Sequence, residues 1–267
     1  IPQETRARLY PTKGYLEYTP PRVDPDAVSG IAALIEKAEQ PVMIVGNGVY
    51  GGKCGPALQA YAELNGVAIA SSYHGKGTID ETSEIAVGMM GTWGSAAANR
   101  MVQAADLVLV MGCSLGPEYT RFRDDKMIRP GEQTIVQVDQ DPLHAGWVVP
   151  VDHAVTGDVA EVAVLLAAAA PHDATLVSRR KASIARIKQD NDYGVLPEFP
   201  TRPGTVHYAD IMRGFQSFLT DDDLLTLDAG TNRIWATCRL PLRSPYQLVA
   251  PGGVGGMGWS TPAATAA

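Results

Sequence analysis

Cysteine is scarce in this chain. Cys54, Cys113 and Cys238 form an odd set at wide spacing. That excludes a disulfide framework and the paired spacing of a zinc site, and it suits reduced thiols in a cytoplasmic protein. Basic charge is also in short supply: 22 Lys and Arg face 29 Asp and Glu, for a net charge of −7. Nucleic acids and anionic membranes both want a basic face, so neither is an expected partner. No apolar run approaches the roughly 20 residues needed to span a bilayer. The opening, Ile1-Pro2-Gln3-Glu4-Thr5-Arg6, lacks an apolar core and does not read as a signal peptide. It also lacks an initiator Met, which leads us to expect further residues upstream.

What is present is the composition of a globular protein: 267 residues, 45% hydrophobic and 19% charged, enough for one large domain or two modest ones. Residues 1–23 are rich in Pro and Tyr without periodicity and read as a linker. Asp24-Pro25 then caps a helix whose apolar stripe is Val28, Ile31, Ile35 and Ala38. An apolar run from Pro41 to Val45 reads as a buried strand ending in Gly46-Asn47-Gly48. The alternation repeats: a helix near 56–64 and a strand Val67 to Ala70; after a long loop, a helix Ser95 to Ala105 and a strand Leu107 to Met111. Further strands follow at Thr134 to Val138 and His153 to Val155. Asp158 and Glu161 resemble a capping box at the start of a helix over 159–170. About five or six nearly all-apolar strands alternating with helices predict an α/β, Rossmann-like parallel sheet covered on both faces, over 24–170. A basic helix from Arg179 to Lys188 and a Pro-rich crossing make 171–204 an interdomain linker. A second, incomplete α/β domain is expected over 205–267. Its first helix carries Tyr208, Ile211, Met212, Phe215, Phe218 and Leu219 on one face, and its first strand, Leu224 to Leu227, ends at Asp228. The chain closes on a glycine-dense loop, 252–258, and a small-residue helix start. Such a helix has nothing left to pack against, so the chain is expected to be cut within a cofactor site.

Gly46-Asn47-Gly48-Val49-Tyr50-Gly51 matches GxGxxG directly after a strand. Glycines there let backbone approach a phosphate, and the next helix N-terminus favours the anion. The nicotinamide version also needs an acidic residue about 20 positions on; here the second strand runs into Ser71-Ser72-Tyr73, which weighs against an NAD-dependent Rossmann enzyme. A tight turn that binds nothing and a site for another nucleotide both stay open. Asp139 and Asp141, at the end of a strand, could accept bonds from ribose hydroxyls, whereas Asp158 reads first as a helix cap. The loop Gly88 to Gly94 could wrap a flat ring system or simply pack on the surface. His74, His144 and His153 show no metal spacing and are expected to be structural or solvent-facing.

Taken in order, these elements resemble the thiamine-diphosphate-dependent enzymes of the acetolactate synthase type. The carrying segments are Pro41–Gly48, His74-Gly75-Lys76-Gly77, Gly91-Thr92-Trp93-Gly94 through Asn99, Ala105-Asp106-Leu107, Gly112, Val138–Pro142 and Gly157-Asp158. In the last third they are Asp228-Ala229-Gly230-Thr231-Asn232, Gly252–Gly258 and Pro262-Ala263-Ala264. The resemblance implies that 24–170 is the family's central domain and 205–267 the start of its diphosphate-binding domain. It implies that Gly230, Thr231 and Asn232 contact the diphosphate of thiamine diphosphate, and that Gly255 and Met257 hold its pyrimidine, Met257 propping the bent cofactor. It places the activating glutamate upstream of Ile1 and the Mg²⁺-binding segment after Ala267, so no catalytic or metal-binding residue is expected within the chain. Family contacts to FAD, or to ADP in some members, would fall on Gly46, Gly48, Ser72, Tyr73, Thr92, Trp93, Gly112, Asp139 and Asp158. The family's arginine and aspartates for the flavin are replaced by Gly112-Cys113-Ser114-Leu115-Gly116-Pro117-Glu118-Tyr119, so an empty cleft stands beside an occupied one.

The expected function is therefore part of a thiamine-diphosphate enzyme that decarboxylates a 2-oxo acid and transfers the acyl group, inactive by itself. Its partners would be a 2-oxo acid substrate and either further copies, as a dimer or tetramer, or a complementing polypeptide. The alternatives are a non-catalytic nucleotide-binding or assembly module and an NAD-dependent Rossmann enzyme.

Overall fold

The computed structural model describes residues 19–169, 173–252 and 255–266. Most of the stretch expected as an N-terminal linker, and Gly253-Val254 of the glycine loop, lie outside the described residues. Helix α1 (Pro25–Lys37) starts as its sequence dictates: Asp24 accepts a hydrogen bond from the Asp26 N–H, and Pro25 occupies the first turn, where no N–H is required. Val28, Ile31 and Ile35 turn inward. Strand β1 (Pro41–Val45) is followed by α2 (Asn47–Gly52), α3 (Gly55–Asn65), β2 (Ala68–Ser71), β3 (Ala86–Met89), α4 (Ala96–Ala104), β4 (Leu107–Met111), β5 (Thr134–Asp139), β6 (His153–Thr156) and α5 (Val159–Ala167). The strands form one parallel sheet in the order β3-β2-β1-β4-β5-β6. Strands β1 and β4 at its centre are buried at every position, as strands covered on both faces must be. The order reverses between β1 and β4, and that switch point opens the crevice in which such sheets bind ligands.

Three local features differ from the sequence reading. Helix α2 follows β1 across the tight turn, where the next helix was expected only near 56–64. Strand β3 occupies part of the long loop, so Gly88 and Met89 belong to an edge strand; four residues with a glycine show too little alternation to be read alone, and pairing with β2 holds them. Asp158 caps α5 through the Ala160 N–H at 2.9 Å, but Glu161 does not complete a capping box. It accepts from the Val23 N–H at 3.0 Å instead, tying the entry of the chain to α5.

Helix α6 (Ala174–Asp190), within the segment expected to link domains, is capped by Asp173 and seats Ile184 and Ile187 in the core. Its Arg180 is 2% exposed and donates to the carbonyls of Ile35, Ala38 and Asn65, at or just beyond the ends of α1 and α3. One guanidinium thus satisfies helix-end carbonyls that burial would otherwise orphan.

The last part of the chain builds α7 (Tyr208–Phe218), β7 (Leu225–Thr226), α8 (Thr231–Arg239), β8 (Leu248–Val249) and α9 (Ser260–Ala266). β7 and β8 pair in parallel, and their small core is Met212, Leu227, Ala236, Leu240, Leu242 and Leu248. The apolar face expected on α7 is only half covered. Met212 is buried, Tyr208 stacks on Trp235 at 5.9 Å, and Phe218 stays 77% exposed. This unit is clasped to the first by Glu81: its N–H donates to the Leu242 carbonyl at 2.8 Å, and its carboxylate accepts from the Leu242 N–H at 3.0 Å and ion-pairs with buried Lys76.

Candidate cofactor sites

At the switch point, the β1–α2 turn lies directly on the end of β4. Gly46 N–H donates to Met111 O at 3.0 Å and Gly48 N–H to Gly112 O at 2.9 Å. A side chain at Gly48 would come within 2.8 Å of the Gly112 backbone, and Gly112 itself has φ +56. These glycines are therefore required by backbone crossing backbone, a reason that holds with or without a phosphate. The third glycine of the motif, Gly51, meets nothing within 4 Å.

Beside this crossing opens a cleft of about 550 Å³ lined by Gly48, His74, Gly112, Asp139, His144 and Asp158, among others. That is within the roughly 300–1,000 Å³ typical of small-molecule sites. Asp139 is 8% exposed; its carboxylate accepts from the Asp141 N–H at 3.0 Å and sits 3.3 Å from His144 Nδ1. Asp158 reaches the cleft while capping α5, so one carboxylate serves both the fold and the rim. His74 and His144, expected to be structural or solvent-facing, both line the cleft; His74 lies in one of the segments that carry the resemblance, while no motif marks His144.

Ser72 does not line it. That side chain is buried and accepts from the Gly75 N–H at 3.1 Å. Tyr73, Thr92 and Trp93 line a second, smaller cavity of about 40 Å³ with Glu118, Tyr119 and Arg233. His74 stands between the two: it lines the cleft, and its Nδ1 lies 3.2 Å from the Tyr119 hydroxyl. Burial holds His74 below the ordinary histidine range, and the nearby Arg233 guanidinium adds to this against an opposing pull from Glu118. Burial raises Tyr73 and Tyr119. Cys113, beneath the cleft, is pushed up to about 11 by burial and stays a thiol, so it offers no thiolate nucleophile.

The third constellation lies at the end of β7. Gly230 has φ +124, a backbone that only glycine adopts without strain, and it precedes α8 without any side-chain cap. The first N–H groups of α8, at exposed Thr231 and Asn232, are thus presented at the positive end of the helix. Asp228 joins this turn to the glycine loop. Its carboxylate accepts from the N–H groups of Ala229 at 2.7 Å, Gly258 at 3.0 Å and Ser260 at 3.2 Å. Those bonds hold the Asp228 carboxyl below the usual range, the Ser260 N–H acting most. Gly255 has φ +60 and Met257 is 91% exposed. Among the described residues, no group of three or more His, Cys, Asp or Glu side chains could hold a metal ion, and no helix is long and apolar enough to cross a membrane.

Residues 28–166 match the family description "Thiamine pyrophosphate enzyme, central domain". The chain is 29% identical over 252 residues to a probable acetolactate synthase large subunit of Methanocaldococcus jannaschii, covering 91% of this chain and 41% of that protein. It is 28% identical to the mitochondrial acetolactate synthase of Schizosaccharomyces pombe, covering 90% and 37%. It is 26% identical to the acetolactate synthase isozyme 1 large subunit of Escherichia coli, covering 92% and 42%. The chain thus spans about two fifths of the length of these curated relatives. With a six-stranded parallel sheet in the matched region and the match covering just over half of its residues, the chain belongs to the thiamine pyrophosphate enzymes and carries their central domain over residues 28–166.

Proposed function

We propose that this chain is the central and diphosphate-contacting part of an acetolactate synthase-like enzyme that decarboxylates a 2-oxo acid and transfers the acyl group. The observation that carries the reading is the uncapped start of α8 behind Gly230, held by Asp228 against the Gly255–Gly258 loop. An anionic diphosphate fits that donor set, because free N–H groups and the helix dipole point the same way. Gly230, Thr231 and Asn232 would take the diphosphate, and Gly255 and Met257 the pyrimidine. When bound, thiamine diphosphate supplies the carbon nucleophile that a 2-oxo acid requires. The chain's own residues bind and orient; the activating carboxylate and the Mg²⁺ ligands are assigned to the enzyme outside residues 1–267, and a dimer, a tetramer or a complementing polypeptide is the assembly expected. Titration of the chain with thiamine diphosphate, followed at the Thr231 and Asn232 amide signals, should give weak, saturable binding that inorganic diphosphate displaces. No saturable shift at those amides would remove the cofactor reading, and decarboxylation by the chain alone would overturn the division of labour.

The 550 Å³ cleft supports a second reading, in which the central sheet also holds a nucleotide. Asp139 and Asp158 both line the cleft, and their carboxylates are of the kind that accept bonds from ribose hydroxyls. The cavity beside Trp93 has room for only one or two waters and does not admit a flavin ring, so an ADP-like ligand fits better than FAD. Native mass spectrometry of the purified chain decides this: added mass of ADP or FAD names the occupant, and a bare 28.4 kDa species leaves the cleft as an assembly element.

A further inference from the structure

Arg233 lies at a junction of three parts of the molecule. It is in the first turn of α8, three residues after Gly230. Its guanidinium carbon sits 5.1 Å from the centre of the Tyr73 ring, and a side chain at Gly255 would come within 3.2 Å of its Nη1. Arg233 is half-buried, and among the described residues no carboxylate lies within 4.0 Å of it. Arg213, Arg129 and Arg121, by contrast, each pair with an acidic residue three positions away on the surface. The cavity that Arg233 lines, about 40 Å³, has room for a small head group and not for a ring system. The Tyr73 hydroxyl on its wall is buried, makes no hydrogen bond of ordinary geometry, and has the Arg233 guanidinium as its polar neighbour. A cation and a buried hydroxyl thus meet in a small cavity beside the glycine loop. A carboxylate answers both, because a planar guanidinium binds one through two parallel N–H bonds.

We propose that Arg233, backed by Tyr73, is the specificity-determining residue that receives the carboxylate of the 2-oxo acid beside the cofactor loops. The inference rests on the function proposed above for its choice of substrate class, and on Arg233, Tyr73 and the cavity for the site itself. Glu118 lines the same cavity and is the acidic group set against an incoming anion. It is exposed and does not pair with Arg233, so it lowers affinity without closing the site.

The test is titration of the whole chain with pyruvate and, separately, with pyruvamide, which keeps the shape and removes the charge. Binding is read at the Arg233 Nε–H signal. Pyruvate should shift that signal to saturation, and pyruvamide at equal concentration should not. R233Q should weaken pyruvate binding at least tenfold, R233K should fall between it and the wild type, and E118Q should tighten binding two- to threefold. Thiamine diphosphate affinity should stay within twofold in all three variants. Equal response to pyruvate and pyruvamide, no pyruvate binding, or R233Q within twofold of the wild type would each overturn the proposal. So would R233Q losing thiamine diphosphate and pyruvate together, since Arg233 would then serve the diphosphate. Failure of the wild type to bind thiamine diphosphate strikes the cofactor reading instead, while the pyruvate and pyruvamide comparison still judges Arg233.

Discussion

The two units of this chain obtain their order in different ways. In the first, β1 and β4 pair along five residues each, every one buried, between layers of helix. In the second, β7 and β8 pair along two residues that are at best half-buried on one strand. Its core is six side chains, and large apolar groups stay in water around it: Val206 at 70%, Phe218 at 77%, Leu224 at 45%. A core that small contributes little net stability once chain entropy is set against it. The second unit is therefore held largely by what it touches in the first. Glu81 grips Leu242, and the Tyr50 hydroxyl donates to Leu248 O at 3.2 Å. The elements proposed to meet the diphosphate sit on the weaker body, and local stability is expected to divide between the two units.

Truncation in each core is the strongest way to break this contrast. Ile44 is fully buried at the centre of the sheet. Ile44→Ala should cost about 2–5 kcal/mol in urea unfolding, the range for deleting a buried aliphatic side chain. Leu248, buried in the second unit, should upon Leu248→Ala leave the main transition nearly unmoved and instead speed amide exchange across 208–252. Equal effects on one shared transition would show that the two units fold as one.

Next in size is the clasp. Glu81→Gln leaves Lys76 buried without its counter-charge. Breaking a buried pair from one side costs about 3–5 kcal/mol when the remaining charge stays dry. Part of that is expected to appear as early loosening of the 240–248 segment by hydrogen exchange. A uniform loss across both units would mean that Glu81 serves only the first. A smaller effect is expected from Asp228→Ala, which should raise exchange at the Gly258 and Ser260 amides about tenfold, the equivalent of one ordinary hydrogen bond, with the sheet unchanged. No change at those amides would separate Asp228 from the ordering of the glycine loop.

The same contrast governs how much could be read from sequence. Central strands were legible because burial on both faces writes itself as apolar runs, Pro41–Val45 and Leu107–Met111 above all. Asp24-Pro25 and Asp158 announced their helices through capping chemistry that is local. Strand β3 was not legible, since its order comes from pairing with β2, a contact 18 residues away at Ala70 and Gly88. Arg180 showed only as part of a basic helix; that it serves three carbonyls of two other elements is a tertiary fact. At the candidate sites, Gly48, Asp139 and Asp158 could be named from the strand ends beside which they stand, and Gly112 by resemblance. Tyr73, Thr92 and Trp93 were grouped with them by resemblance, yet they line a different cavity, because the turn at Tyr73–Gly75 sends Tyr73 and His74 to opposite sides. Arg233 carried no sequence signal: it becomes conspicuous only where it meets Tyr73 and Gly255.

The finest probe of the junction between the units is the pH dependence carried by His74. Its folded pKa is lowered, first by burial and then by Arg233, with Glu118 pulling the other way. In the unfolded chain it titrates near 6.5. Just below that pH the unfolded chain takes up a proton that the folded chain refuses. The unfolded state then binds more protons, and stability falls as pH is lowered from about 6.5 toward the folded value, then levels off. Above about pH 7 the residue contributes no slope. His74→Gln should flatten this part of the profile in urea midpoints measured between pH 5 and 7, because an amide can still meet the Tyr119 hydroxyl and does not titrate. Glu118→Gln should steepen it by removing the one group that favours the proton, and Arg233→Gln should make it shallower. A profile indifferent to all three substitutions would mean that the junction relaxes to admit water before His74 titrates, and that the two units are less firmly joined there than the contact of Arg233 with Tyr73 implies.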